Sequence, residues 1–534
     1  MMYPYKLTTN PFPSSPTPTE KDAKILGGTL HKEAKGAILE CVRELNKRVE
    51  GRAAEKGDFR LITVIQDVGS GKTHLALHVK SLKGRYNAEC TYVDLSTISP
   101  KTISGIYSAI LKGFDDEFFV QLRAQFLDYL RDRAEQGDNF AKKSLGYNFV
   151  NKLAGLTIRE KADDIIKGKQ SISVENLQKF LIHRFDYNES IFIQNVITNS
   201  FGEITNLETL IGMLSSLSSL THRFLGKIII FEIDELDGNR DSTDFIKGVI
   251  NAHLPASVLL LIATPSGYLE IQNTNPSVFD RLEKANYKID LAGSNSKDEL
   301  AEIAVEYIWH NDKNGKSQSS EKQELENKIN TLYEEFSEFR NVRSIINILY
   351  HSMEKAVQLN LNKITESVID EAIKQTYPGL RVRGSIMEVP ISEFLTIRKD
   401  WTENNEENLK EAVDNLTNFA HEMGNICKLE KQSLPLDFVY QDNLGSKVGV
   451  AIFANGTRVD NLDELSKISR SAIVDRLVIL TNKKIQIPYN ATVVNVDKSK
   501  IIDLIYFNKK YSCKKMTKDD DDRVDLLART LSII

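Results

Sequence analysis

Two short stretches of the chain gather residue types that handle phosphate and magnesium. The first is Gly69-Ser70-Gly71-Lys72-Thr73, inside ITVIQDVGSGKTHL (Ile62 to Leu75). Glycines at such a turn let backbone N–H groups converge on phosphate oxygens, and a helix starting there favours negative charge. Flanked by Asp67, Val68 and His74, these residues make a candidate phosphate loop. Lys72 would reach the β- and γ-phosphates, and the Thr73 hydroxyl would ligate Mg2+. The second stretch is Asp234-Glu235 in KIIIFEIDELD. A carboxylate at the end of a buried apolar strand is costly unless it is paired, and a Mg2+ partner gives Asp234 a reason to stand there. Glu235 could orient or deprotonate an attacking water. The same acids could instead merely cap the following helix. ATP and Mg2+ are the ligands these stretches call for.

One position departs from the pattern GxxxxGK[ST]: its opening glycine is Gln66. That position shapes the turn, whereas the phosphate contacts lie at the other end, so altered loop geometry is expected and not a dead site. Three further residues are catalytic candidates. Thr264, after SVLLLIA, could orient the lytic water or sense the γ-phosphate, or simply start a turn before Pro265. Arg281 in NPSVFDRLEKANYKIDL and Arg343 in FRNVRSIINIL could neutralise charge on transferring phosphate.

These residues need a scaffold that sets strand ends beside one another. Leu61–Ile65, TYVDL (Thr91 to Leu95), KIIIFEID and SVLLLIAT read as buried strands alternating with helices, which argues for a mainly parallel α/β sheet. Residues 100–225 are helical in pattern and charged, too long for a connection, and read as a helical insertion. Gly315 to Ser320 (GKSQSS) reads as an exposed linker. Helical faces follow at Leu325, Ile329, Leu332 and Phe336 and at Ile345, Leu349 and Met353. The domain expectation is an extended proline-rich leader (1–24), an ATPase core (25–312), a helical lid (313–380), a smaller α/β domain (391–512) and a charged tail (513–534).

Composition narrows the class. The 534 residues carry a net charge of −5, which argues against a globally basic nucleic-acid binder but leaves room for a local basic patch. The four cysteines, Cys41, Cys90, Cys427 and Cys513, lie far apart, as isolated reduced thiols would. No apolar run approaches the roughly 20 residues that span a bilayer, and no signal-peptide core is visible. A cytoplasmic protein with no membrane partner is expected.

The order of these parts resembles the AAA+ ATPases, and within them the archaeal origin-recognition initiators and related ATP switches. GSGKT is similar to Walker A and IIIFEIDELD to Walker B. Thr264 falls where that family's sensor-1 residue sits, Arg281 where its arginine finger does, and Arg343 in a stretch like its sensor-2 helix. ILGGTLHKEAKGAILECV (Ile25 to Val42) resembles the N-terminal box that packs on adenine in that branch. GSGKTHL is also similar to large ATPases of phage-defence islands. The resemblance covers about residues 20–378 and implies an ATP-hydrolysing switch, action on DNA, and assembly into a homo-oligomer or with partner proteins, where a finger from one subunit completes the next one's site.

The carboxy-terminal order of helix, LPLDFVY, KVGVAIFANG, helix, RLVILT, TVVNV and IIDLIYF is weakly similar to the PD-(D/E)xK nuclease fold, with Asp437 near its first acid. Ala451-Ile452-Phe453 stand where a second acid and lysine belong, so an inactive relic that binds DNA or protein is expected. Lys509, Lys510, Lys514, Lys515 and Lys518, with Tyr506, Phe507 and Tyr511, could touch nucleic acid or form a solvated tail, since the Asp519–Asp522 run repels phosphate. Besides the ATPase acting on DNA, two readings stay open: a nucleotide-gated signalling or scaffold protein with little turnover, and a fused ATPase–nuclease.

Overall fold

The computed structural model describes residues 2–15, 24–81, 83–291, 293, 295–310, 319–403, 405–429, 436–453, 467–468, 473–482 and 491–534. The chain divides into two compact units, Met1–Lys363 and Ile364–Ile534.

The first unit is built on five strands: β1 (Phe59–Gln66), β2 (Ala88–Asp94), β3 (Ile228–Asp234), β4 (Ser257–Ala263) and β5 (Tyr287–Leu291). They pair in parallel in the order β2-β3-β4-β1-β5. Every residue of β3 and β4 is buried, as expected where helices cover both faces of a parallel sheet. Alternate side chains go to opposite faces. Ile62, Val64, Ile228, Ile230, Val258 and Leu260 pack under α1 (Thr29–Val49) and α2 (Lys72–Ser81), which contribute Ile38, Val42, Leu45, Leu75 and Val79. On the other face Leu61, Ile229, Phe231, Ile233, Leu259 and Leu261 meet helices that include Ile106, Phe126, Leu127, Leu214 and Phe245.

Several of those covering residues come from the insertion. It folds as eight helices, from α3 (Ile103–Lys112) to α10 (Leu207–Leu225). All but the short helix Phe149–Leu153 share one continuous apolar core with the sheet, so the insertion packs on the chain's own sheet. With about 1.5–3 kcal/mol for each fully buried large apolar side chain, this packing is a principal source of the unit's stability.

Along the sheet's carboxyl edge the register aligns Asp94 with Asp234 and Ile65 with Ala263, setting the ends of β1 to β4 in one row. Ligands of open α/β sheets bind beyond such an edge. Above it stand α14 (Lys297–Trp309), α15 (Ser319–Glu335) and α16 (Val342–Gln358), with Leu325, Ile329, Leu332, Ile345, Leu349 and Met353 all buried. Ser319 and Ser320 begin α15, and the rest of the GKSQSS linker lies outside the described residues.

The amino-terminal leader differs from its expected extended form. Its described part folds onto α14 and α16: Asn10 donates to Glu354 at 2.7 Å and to the Tyr350 carbonyl, Tyr3 donates to Glu354 at 3.0 Å, and buried Phe12 packs its ring at a tilt against Tyr307. Aromatic rings at positions 3, 5 and 12 give this proline-rich segment something to bury.

The second unit holds a sheet in the order β12-β11-β10-β9-β8 and a small hairpin of β6 (Arg381–Arg383) and β7 (Glu388–Pro390). β8 (Ile426–Lys428), β9 (Phe438–Asp442) and β10 (Lys447–Phe453) are antiparallel, and β10, β11 (Arg476–Thr481) and β12 (Ala491–Asn495) are parallel. The helix expected between KVGVAIFANG and RLVILT lies almost wholly outside the described residues. Three expectations are corrected here. The helix Glu366–Thr376, read into the lid, belongs to this unit. IIDLIYF is not a strand but part of the helix Lys498–Ser512, because Asp497 caps its start by accepting from Lys500 N and its apolar residues bury one face. The charged tail is a capped helix, Lys518–Thr530, whose Val524, Leu527 and Ala528 are buried, while Asp520 pairs with Lys510 at 2.9 Å.

Candidate functional site

The candidate phosphate loop runs from the end of β1 into α2. Gly69 and Gly71 have φ of +76° and +105°, a region open to glycine and strained for other residues. The first helical bond is Leu75 N to Gly71 O, so the N–H groups of Lys72, Thr73 and His74 stand at the unsatisfied end of the helix, where anions bind. Asp67 is a structural member of the loop: its carbonyl accepts from the Ser70 hydroxyl at 2.6 Å and its carboxylate accepts from Gly293 N at 3.1 Å. Val68 projects outward, 69% exposed.

Gln66 completes β1 as a buried residue. Its amide donates to the Ser70 carbonyl at 3.1 Å and lies 3.2 Å from His31 Nε2, which is itself 2.9 Å from the same carbonyl. His31 Nδ1 faces Glu299 at 2.6 Å and carries its proton toward that carboxylate. Burial opposes the Glu299 charge, yet hydrogen bonds from His31 and from the Leu30 and His31 backbone hold its carboxyl below the usual range. Where the phosphate-loop pattern has a flexible glycine, this chain has a braced strand end. Gly28 leaves room for Glu299, since a Cβ there would sit 2.3 Å from its carboxyl carbon.

The two sequence motifs meet. Lys72 Nζ lies 3.0 Å from Glu235 Oε1. Asp234, 1% exposed, accepts from the Tyr92 hydroxyl at 3.0 Å, and the same phenol hydrogen-bonds Thr73. Tyr92 therefore links the two residues expected to hold magnesium. Burial pushes the Asp234 carboxyl up to about 6, with nearby Glu235 adding to the rise. A divalent cation between Thr73 and Asp234 would relieve that cost. One hydroxyl and one carboxylate, with water and phosphate oxygens as remaining ligands, suit Mg2+, which keeps much of its water. Among the described residues no group of three or more His, Cys, Asp or Glu forms a ready-made metal cage. Glu235 has φ of +53°, a strained setting for a residue with a side chain, and Asp234 Oδ1 steadies it by accepting its N–H at 2.7 Å.

The loop opens into a cleft of about 100 Å³. Gly69 to His74 and Glu235 form one wall; Pro13, Ile303, Tyr307, Val342, Arg343 and Ile346 face them. Arg343 is thus brought to the site, and its backbone N–H donates to the Gly69 carbonyl at 3.1 Å. Beside the loop, Lys35 donates to the carbonyls of Ile25 and Leu26 at 2.9 and 2.6 Å and meets His74 Nδ1 at 3.3 Å. Burial lowers its amine to about 7.

Thr264 and Arg281 stand apart from this cleft's lining. Thr264 caps α12 (Pro265–Thr274) by accepting from Gly267 N at 3.0 Å, the turn-starting role. Arg281, on α13 (Pro276–Glu283), is engaged with Asn251 of α11 (Arg240–Ala252). Tyr92, Gln66 and His31 went unassigned as site residues. The signal for Tyr92 was the polar alternation Cys90, Tyr92, Asp94 on one strand, beside Glu232 and Asp234 on its neighbour.

In the second unit Asp437 is fully used: it accepts from Ile452 N at 2.7 Å and pairs with Lys410 at 3.3 Å. The basic carboxy-terminal run offers no stacking platform, since Phe507 is buried, Tyr511 donates to Glu422 at 2.8 Å, and Tyr506 lies under Lys510.

No protein-family model matches the chain, and no curated protein matches it. Solved structures similar to it include the Aeropyrum pernix ORC2 protein in its ADPNP–ADP complexes, at 11% identity and a TM-score of 0.35, covering 95% of this chain and 96% of that one. The Aeropyrum pernix ORC1 protein in complex with DNA gives 12% identity, 74% coverage of each chain and a TM-score of 0.32. The ADP form of the ORC2 protein gives 13%, 74% of this chain, 76% of that one, and 0.35. At these identities and TM-scores the likeness assigns no ligand.

Proposed function

We propose that the chain binds ATP with Mg2+ at the Lys72–Glu235 cleft and hydrolyses it, serving as an AAA+-like switch that acts on DNA and assembles with copies of itself or with partners. The observation that carries the nucleotide reading is the convergence of Lys72, Thr73, Asp234 and Glu235 at one sheet edge, with Tyr92 joining the middle pair. The helix end and Lys72 hold phosphate, while Asp234 and Thr73 are placed to hold Mg2+, which when bound would neutralise charge on the phosphates. Glu235 is one-third exposed and so can meet water as well as Lys72. Arg343 faces the cleft from the lid, and Arg281, directed elsewhere, would serve a neighbouring subunit. Action on DNA rests on the resemblance of the motif order.

A second reading, a nucleotide-gated scaffold with little turnover, is favoured by two features. The cleft of about 100 Å³ is smaller than the roughly 300 Å³ at which ligand pockets begin, and Glu235 already occupies Lys72. The nuclease reading is not carried forward, because Asp437 is tied up by Ile452 and Lys410. ATP turnover with and without duplex DNA, with particle size measured in each nucleotide state, tests the proposal. DNA-stimulated turnover lost in Glu235→Gln supports it; tight ATP binding without turnover moves the assignment to the scaffold.

A further inference from the structure

A second cleft, of about 950 Å³, opens at the opposite end of the sheet. Its walls come from the segments that lead into β1, β2 and β3 and from the carboxyl ends of α1 and α10. The strands between this end and the phosphate loop have seven or eight residues, which separates the two sites by about 20 Å or more. A nucleotide held by Lys72 therefore does not account for it.

The lining is strongly one-signed. Arg43, Lys47, Arg52, Arg85 and Arg223 line the cleft against a single carboxylate, Glu50. In a chain of net charge −5 this is a local reversal of sign. Arg43 is paired with Glu40, and Arg52 with Asp58 at 2.6 Å. Among the described residues, Lys47 and Arg85 are in no ion pair. Arg223 is fixed by its stacking on Phe185, with its guanidinium carbon 4.6 Å from the ring centroid, which leaves its N–H edge for an acceptor. The walls are held in place: Asn46 donates to the Tyr86 carbonyl at 2.5 Å, Asn87 to the Gly226 carbonyl at 2.7 Å, and His222 Nε2 meets the Arg52 carbonyl at 3.0 Å. Guanidinium groups offer paired donors matched to phosphate oxygens, and several in one fixed cleft bind a ligand with several phosphates.

We propose that this cleft is a second anion site that binds the phosphate groups of a polyanion, either a nucleic-acid backbone or a soluble polyphosphate. It is independent of the phosphate loop and does not rest on the assignment of ATP to that loop. The test uses the full chain and three probes: a labelled single-stranded oligonucleotide of twelve residues, the matching duplex, and inorganic tripolyphosphate titrated directly by calorimetry. Lys47→Gln/Arg85→Gln removes two exposed cations without touching the core. The expected result is at least tenfold weaker binding and a salt-dependence slope smaller by about two, with nucleotide binding at the phosphate loop unchanged. Lys72→Ala should leave polyanion binding unchanged and abolish binding of a fluorescent ATP analogue, so the two sites can fail separately. Direct binding of tripolyphosphate with no oligonucleotide binding assigns the soluble source; binding of either oligonucleotide assigns the backbone. If the folded double variant binds all three probes with wild-type affinity and salt slope, the assignment is overturned.

Discussion

If Lys72 must turn from Glu235 to a γ-phosphate when ATP binds, Glu235→Gln should tighten nucleotide binding. The charged atoms are 3.0 Å apart, with Lys72 6% and Glu235 36% exposed. At an effective dielectric near 20 the gross attraction is about 5 kcal/mol. The exposure of Glu235 and the desolvation of Lys72 offset most of it, leaving about 1 kcal/mol, the ordinary worth of a pair open to solvent. Releasing Lys72 from a carboxylate competitor should therefore improve ATP affinity about fivefold, since 1.4 kcal/mol is a factor of ten. The gain should be smaller for ADP, which lacks the γ-phosphate, and smaller at high salt, where Glu235 is already screened. Titration with fluorescent ATP and ADP analogues, in wild type and variant at low and high salt, reads all three effects. In the same variant turnover should fall. Unchanged or weaker ATP binding would refute the competition, and equal gains for ATP and ADP would show that Lys72 does not face the terminal phosphate.

Other expectations follow from single contacts. Tyr92→Phe deletes the phenol between Thr73 and Asp234 and should lower thermal stability by about 1 kcal/mol without nucleotide, while the stabilisation on adding Mg2+ and ATP rises; an equal loss in both states would mean that the bridge does not compete for the site. Gln66→Gly should loosen the loop, costing about 1–2 kcal/mol of stability and weakening ATP binding, measured by melting and titration. Lys35, lowered to about 7 from an ordinary 10.5, takes up a proton on unfolding between those values, so its contribution makes stability rise with pH from about 7 toward 10. Lys35→Met should flatten that rise in melting curves recorded at pH 7 and 9. Arg281→Ala should slow ATP turnover only in assemblies, and an equal loss in a monomer would remove its role between subunits.

How much of this was legible in the chain depends on the range of the interaction. The strands and the phosphate loop announce themselves locally, through unbroken apolar runs, glycines that must take positive φ, and acids at a buried strand tip. Gln66 was recognisable as a departure, but its partners lie on α1 and in the loop itself, so only folding shows that it braces the Ser70 carbonyl with His31. Tyr92 belongs to a strand whose neighbour in the sheet comes 142 residues later, which hides the bridge to Asp234 from any local pattern. The sequence leaves the insertion's packing partner open for a related reason: charged, amphipathic helices look alike whether they form a separate module or cover a sheet. The last helix was masked by charge, because one apolar residue per turn suffices to seat it.

The leader connects the site to the rest of the first unit. Pro13 lines the phosphate cleft, while Phe12 beside it is buried on Tyr307 of α14, and Asn10 and Tyr3 are tied to Glu354 of α16. Residues of both helices, Ile303, Tyr307, Val342, Arg343 and Ile346, form the wall opposite the glycine loop. A nucleotide needs more space than about 100 Å³. If the wall shifts to admit ATP, the leader is bonded to the elements that would shift. Phe12→Ala frees it at a cost of about 3 kcal/mol or more. If the leader clamps the wall, ATP association in the still-folded variant should quicken. If it only fills a groove, stability should fall with association unaltered, and stopped-flow mixing with the fluorescent analogue separates the two.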